Sequence, residues 1–151
     1  MRRADMEIKD RAEIDAVIRC CKVCRLGLCA EGEAYIVPMC FGYDGEALYF
    51  HGAEKGKKID MLRENPRVCF EFDVLDEVAG SEKACDWDMH YRSVIGFGTA
   101  ELLDDTAAKE EALQSIMSQY TKKAFTFPEK MVQHTCVIRV TIESVTGKQS
   151  A

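Results

Sequence analysis

The stretch HGAEKGKKID, residues 51–60, decides how this chain is read. It sets Lys55, Lys57 and Lys58 around Gly56 in a protein whose formal net charge is −6. Ile59 and Leu62 follow at a spacing of three, and Glu64, Asn65 and Pro66 close the segment. The pattern predicts a short helix from about residue 56 to 64, ended by the residue before proline, which steric contact keeps out of the helical region. Lysines in a first turn oppose the helix dipole, because unpaired backbone N–H groups already carry partial positive charge there. A phosphate would reverse that penalty, since amides and dipole both bind it. Gly56 lets the backbone approach such a ligand, and Lys57 and Lys58 add charge. The spacing is neither that of a P-loop nor that of a dinucleotide fingerprint. The same residues also fit a solvated lysine face balanced by Glu54, Asp60 and Glu64.

The flanks of this segment read as strands. Upstream, YDGEALYFH carries Asp44-Gly45, a strong hairpin signal. Before it, KVCRLGLC places Cys24, Leu26 and Leu28 on one face, EGE at 31–33 turns the chain, and EAYIVPMCFGY returns. Pro38 cannot donate to a strand ladder, so an edge or a bulge is expected there. Downstream, RVCFEFDV alternates cleanly, with Val68, Phe70, Phe72 and Val74 to one side. DEVAGSEKACDWD reads as a polar loop. MHYRSVIGFGTAELL is a long strand whose Gly96 and Gly98 suggest a bend or close backbone approach. HTCVIRVTIESVTG is a last strand, with Cys136, Ile138, Val140 and Ile142 on one face.

Two longer helices complete the pattern. Asp10 and Glu13 resemble a capping pair ahead of Ile14, Val17, Ile18 and Cys21, which predicts a helix over about 11–21. A second opens at residues 104–106, with Leu113, Ile116, Met117 and Tyr120 as its apolar stripe. About six strands in hairpin order with helices beside them define a mainly β, α+β chain. They suggest an antiparallel barrel decorated by helices, although an open sheet fits the same order.

Composition bounds the rest. The 151 residues suffice for one domain spanning 1–151 with a proper core. Hydrophobic residues at 47% and charged residues at 30% fit a soluble globular protein. No apolar run approaches the roughly 20 residues of a membrane span, and the start MRRADMEIKD lacks the apolar segment of a signal peptide. A pI near 5.1 argues against nucleic-acid binding, which needs a basic surface. Eight cysteines without an export signal point to reduced thiols and a cytoplasmic protein. Cys21 and Cys24 form one Cys-x-x-Cys pair, but no second pair or histidine is spaced to complete a structural zinc site, so no metal is expected.

His51 has two readings: a proton donor beside a cofactor, because imidazole exchanges protons near neutral pH, or a hydrogen-bonded residue at a strand end. Trp87, Tyr91 and Arg92 are candidates for a pocket border, since aromatics stack and arginine orients anions.

VCRLGL, YIVPMCFGY, LYFHGAEKGKKIDMLRENPRVCFEFD, YRSVIGFGTAELLDD and the terminal VTGKQS occur in order over nearly the whole chain. Together they resemble the Nim-type nitroimidazole-resistance proteins of the pyridoxamine 5′-phosphate oxidase-like superfamily. The resemblance implies an antiparallel split β-barrel of the FMN-binding type, a homodimer with FMN between its subunits. It places Lys57 and Lys58 on the FMN phosphate, Val37, Pro38 and Met39 along the strand beside the flavin ring, and His51 and Gly52 at the next strand end. The oxidases proper carry Ser-Arg-Lys where this chain has Gly56-Lys57-Lys58, and lysine lacks the bidentate fork of arginine. No match to the oxidases' C-terminal substrate-phosphate residues is seen, so pyridoxamine phosphate oxidation is not expected.

The function implied is an FMN-dependent reductase acting on a nitroaromatic or another small electron acceptor, fed by a reduced nicotinamide or an electron carrier. The alternative is a flavin-binding or redox-sensing dimer without turnover. Haem or a deazaflavin in the same barrel is a third, weaker possibility.

Overall fold

The computed structural model describes residues 3–150. In chain order the elements are β1 (Glu7–Ile8), α1 (Arg11–Cys20), β2 (Cys24–Ala30), β3 (Glu33–Met39), β4 (Gly42–Tyr43) and β5 (Ala47–Gly52). They continue with α2 (Lys57–Glu64), β6 (Arg67–Ala79), β7 (Asp88–Leu102), α3 (Thr106–Ser118), α4 (Glu129–Gln133) and β8 (Cys136–Ser150). All strand pairings are antiparallel, in the order β3-β2-β6-β7-β8-β5-β4, with β1 paired to β8. This is the expected α+β split barrel: β3 forms one end of the sheet and β4 the other, although β4 follows β3 directly in the chain.

The strand pattern explains the core. In β2, Cys24, Leu26 and Leu28 point inward, and in β6 Val68, Phe70 and Phe72 do the same. Phe41, Phe50, Phe70 and Phe72 are fully buried, each contributing about 1.5–3 kcal/mol through burial. Phe41 and Phe72 meet at 4.8 Å between ring centroids. Gly96 belongs to this packing: a Cβ there would lie 2.1 Å from Cζ of Phe70, so the expected close approach is real. The register shift between Phe97 and Gly98 supplies the bend.

Four expectations change. Residues 76–79 are strand, because Glu77, Val78 and Ala79 pair with His90, Met89 and Asp88 across a bulge after Leu75. A ladder formed by the backbone needs no apolar side chains, which is why composition hid it. Among the described residues the sheet has eight strands, the short β1 and β4 having too few residues to display a period. The helix α4 was likewise too short to read. The buried face of α3 is Lys109, Ala112 and Ile116, with Leu113 and Met117 only half-buried. Tyr120 lies just beyond the helix, where its hydroxyl accepts from Phe41 N at 3.0 Å and donates to Lys22 O at 2.8 Å.

Pro38 sits on the edge strand β3, as its missing N–H requires. The helix α2 starts after Gly56 and ends at Asn65 before Pro66, close to the expected bounds.

Candidate functional site

The helix α2 has an unusual beginning. Asp10 caps α1 by accepting from Ala12 N, and Asp105 caps α3 by accepting from Ala108 N. The cap of α2 is Gly56, which has no side chain to offer. Its φ of 129° lies where residues with a Cβ are strained. The first-turn amides of α2 therefore have no side-chain acceptor, and two lysines stand beside them.

Lys58 crosses the split of the barrel. Its Nζ lies 3.5 Å from Sδ of Met39 at the end of β3. The position that a Cβ on Gly52 would occupy is 3.1 Å from the same nitrogen, so the bare backbone at the end of β5 makes room for the amine. No carboxylate pairs with Lys58 among the described residues. Burial pushes its ammonium below the ordinary lysine value, with Cys136 acting weakly the other way. An unpaired, half-buried cation beside an uncapped helix start is an arrangement that favours an anion.

Lys57 points elsewhere. Its ammonium pairs with Glu33 and lies 4.8 Å above the Tyr35 ring. The hydrogen bond it donates to Glu33 holds its pKa above the usual value. Val37 and Met39 pair with Leu26 and Cys24, whose side chains are buried, so both face the barrel side of β3 that Lys58 touches. Pro38 pairs with Arg25 and faces outward. Gly52 lies opposite Cys136 in the ladder between β5 and β8. Alternation along β5 turns His51 to the other face, where it is exposed opposite Val137.

The structure thus gathers Met39, Gly52 and Lys58 at one point, with Val37 on the same strand face and Lys57 one residue away. Pro38 and His51 face away from that point within the chain. Trp87, Tyr91 and Arg92 belong to another region. Trp87 Nε1 donates to Ser81 O at 2.7 Å, Tyr91 lies under Lys148, and Arg92 pairs with Asp76. Three neighbours escaped sequence reading: Glu33 and Tyr35, which hold Lys57, and Cys136, which faces Gly52. The alternation Tyr35, Val37, Met39 was a usable signal for the second. Nothing local in the sequence pairs Glu33 with Lys57.

All eight cysteines are free thiols. Burial pushes the Cys21 thiol up to about 12, and burial raises Cys24 further. The Cys-x-x-Cys pair therefore stays protonated at neutral pH, unsuited to thiolate chemistry. Among the described residues no helix is long and apolar enough to cross a membrane.

On the outer face, one residue from each of four strands forms a row: Ile36 opposite Gly27, Gly27 opposite Cys69, and Cys69 opposite Phe97. The absent side chain of Gly27 makes this row a groove of about 400 Å³. Ile36 is 67% exposed and Phe97 47%.

The chain belongs to the family described as pyridoxamine 5′-phosphate oxidase, which it matches over residues 10–149. Its fold is similar to that of a candidate 5-nitroimidazole antibiotic resistance protein from Bacteroides thetaiotaomicron. The two are 33% identical, with a TM-score of 0.87 over 95% of this chain and 86% of that one. An FAD-binding protein from Mesorhizobium loti is 26% identical, with a TM-score of 0.68 over 94% of this chain and 96% of that one. An uncharacterised protein of Rhizobium meliloti is 32% identical over 66 residues, which span 44% of this chain and 43% of that protein's length.

Proposed function

We propose that this chain is a flavin-dependent oxidoreductase that holds the 5′-phosphate of FMN at the start of α2. The observation that carries the reading is Lys58, a half-buried ammonium with no carboxylate partner, set between an uncapped helix start and the bare backbone of Gly52. These residues fit a phosphate: Gly56 opens the approach, the first-turn amides donate, and Lys58 supplies charge where water is partly excluded. Lys57 joins by exchanging Glu33 for the phosphate. Val37 and Met39 border the ring on the barrel side of β3, with Pro38 stiffening the same edge.

Bound there, FMN supplies electron transfer from a reduced nicotinamide or a carrier protein to a small acceptor. A nitroaromatic acceptor is favoured by the likeness to the 5-nitroimidazole resistance protein. The FAD-binding relative supports a flavin in general, and FMN is preferred because the amides and lysines at the start of α2 suit a single terminal phosphate. Family membership supports the fold and the cofactor class, not pyridoxamine phosphate as substrate.

The working unit is a homodimer. The row from Ile36 to Phe97 leaves apolar side chains in water, and a second copy is the occupant that would cover them. His51 is the proton donor in this reading. Because it faces away from Lys58 in its own chain, that role requires a ring reaching past the end of β5 or brought by the second copy. Free thiols and an acidic surface suit a cytoplasmic protein.

One observation favours a second reading, flavin binding without turnover: among the described residues no histidine stands in the Met39, Gly52 and Lys58 cluster. The test has two stages. The visible absorption spectrum of the purified protein, with mass analysis of what heat releases, reports a flavin and its identity. Anaerobic mixing of the flavin-loaded protein with a reduced nicotinamide and then a nitroimidazole reports turnover. Bleaching and recovery of the flavin band support the reductase. A band that neither reagent changes supports the binding module, and absence of any flavin affinity overturns both.

A further inference from the structure

Among the described residues Lys109 is the one charged side chain that is buried, at 9% exposure. It sits in the first turns of α3, and its Nζ donates to Gln133 O at the end of α4, 3.3 Å away. That is its only hydrogen bond among the described residues, and no carboxylate lies within ion-pair distance. Two of its three N–H donors are therefore unused. A buried ammonium without a counter-charge is expensive, and proteins compensate it with an anion or with deprotonation.

Lys109 lines a cleft of about 300 Å³ between the start of α3, the end of α2 and the start of β8. Arg63 and Lys55 line the same cleft, and neither is in an ion pair among the described residues. Two carboxylates, Glu54 and Asp104, are also present, so the three cations leave an excess of positive charge. The half-buried Cys136 and Thr135 complete the polar lining, with Leu102 and Leu103 as its apolar part. Cys136 lies near all of these cations, since that thiol feels Lys58, Lys109 and Arg63 together.

We infer that this cleft binds a phosphate group, held by the guanidinium fork of Arg63 and by the two free donors of Lys109, with Lys55 at its mouth. Arginine suits the paired oxygens of phosphate, and a desolvated lysine strengthens the contact because little water competes. The site adjoins the one at the start of α2, but its anchoring side chains, Arg63 and Lys109, lie outside the Met39, Gly52 and Lys58 cluster, and it does not rest on the flavin reading.

The experiment titrates flavin-free protein with inorganic phosphate by calorimetry. It compares wild type with Arg63→Gln, an exposed position, and with Lys109→Met, which keeps the length of the side chain and removes the buried charge. Saturable binding of millimolar affinity or tighter is expected, weakened at least about tenfold by each substitution. Lys109→Met should also melt no lower than wild type, because the buried charge is gone. If Lys109→Met does not fold, Arg63→Gln alone decides. Lys58→Met is the control: loss of phosphate binding in that variant, with Arg63→Gln unaffected, places the anion at α2 and overturns the inference. Absence of saturable binding up to about 10 mM overturns it as well. A further arm with ADP separates the sources. Tighter binding than phosphate, still sensitive to Arg63→Gln, assigns the site to a nucleotide tail, and equal or weaker binding assigns it to the free ion.

Discussion

Lys58 Nζ stands 3.5 Å from Sδ of Met39, so a cation on α2 bridges the gap between strand β3 and the end of β5. In the order of the sheet these strands are far apart, β3 at one end and β5 next to the other. A thioether is a weak acceptor, and such a contact compensates little of the cost of removing an ammonium from water. On the proposed function the bridge serves as a receptor for an oxyanion and not as a clasp that stabilises the barrel.

Replacing Lys58 with methionine separates these two roles. The flavin-free variant should be as stable as wild type or more so, because a desolvated charge is replaced by an apolar chain of similar length. Its FMN affinity should fall. Thermal melts with and without FMN measure both effects. A flavin-free variant that melts well below wild type contradicts the receptor account.

On the proposed function, Glu33 and the FMN phosphate compete for Lys57. The pair is exposed, so Glu33→Gln should change stability by no more than about 1 kcal/mol. The substitution frees Lys57, and FMN should bind more tightly, by a factor of a few. Fluorescence titration measures the affinity, and an unchanged value removes Lys57 from the site.

The legible part of this protein was the part encoded by local rules. Alternation in Leu26 and Leu28 and in Phe70 and Phe72 marked two inner faces. Asp44-Gly45 marked a hairpin, with Asp44 Oδ1 now seen accepting from both Glu46 N and Ala47 N. Pro66 marked the end of α2. The contacts that define the candidate site are non-local and leave no periodic trace. Lys57 meets Glu33 over 24 residues, and Lys58 meets Met39 over 19. Lys109 entered the core of α3 against its polarity, because tertiary packing and the Gln133 carbonyl outweighed its preference for water.

Acid should weaken the anchoring of α1. Asp15 accepts from the Tyr43 hydroxyl at 2.7 Å and from Arg11 Nε at 2.8 Å. Burial alone would raise its pKa, but the hydrogen bonds from Tyr43 and Arg11 outweigh burial and hold the carboxyl below the ordinary value of 3.8. A carboxylate with a lowered folded pKa gives stability that is complete above its unfolded value and is lost as pH falls through the folded one. Resistance to denaturant should therefore fall below about pH 4. Asp15→Asn should flatten part of that slope and cost about 1–2 kcal/mol at neutral pH. An identical acid slope in the variant contradicts this assignment.

The apolar row on the outer face makes its own prediction. Phe97→Glu adds a charge to a side chain that is already 47% exposed, so the monomer should fold normally. Sedimentation equilibrium should find a dimer in wild type and a monomer in the variant at micromolar concentration. A monomeric wild type that still binds flavin refutes the dimer.

The central claim is that the anion belonging at Gly56, Lys57 and Lys58 is the phosphate of FMN. The most direct measurement compares FMN and riboflavin binding to wild type and to Lys57→Ala/Lys58→Ala. Each charge-assisted contact contributes about 1.5–3 kcal/mol. FMN affinity should therefore fall by roughly two to four powers of ten in the double variant, while riboflavin, which has no phosphate, binds both proteins equally. FMN binding that is undiminished in the double variant would contradict the account and leave the two lysines as a solvated face.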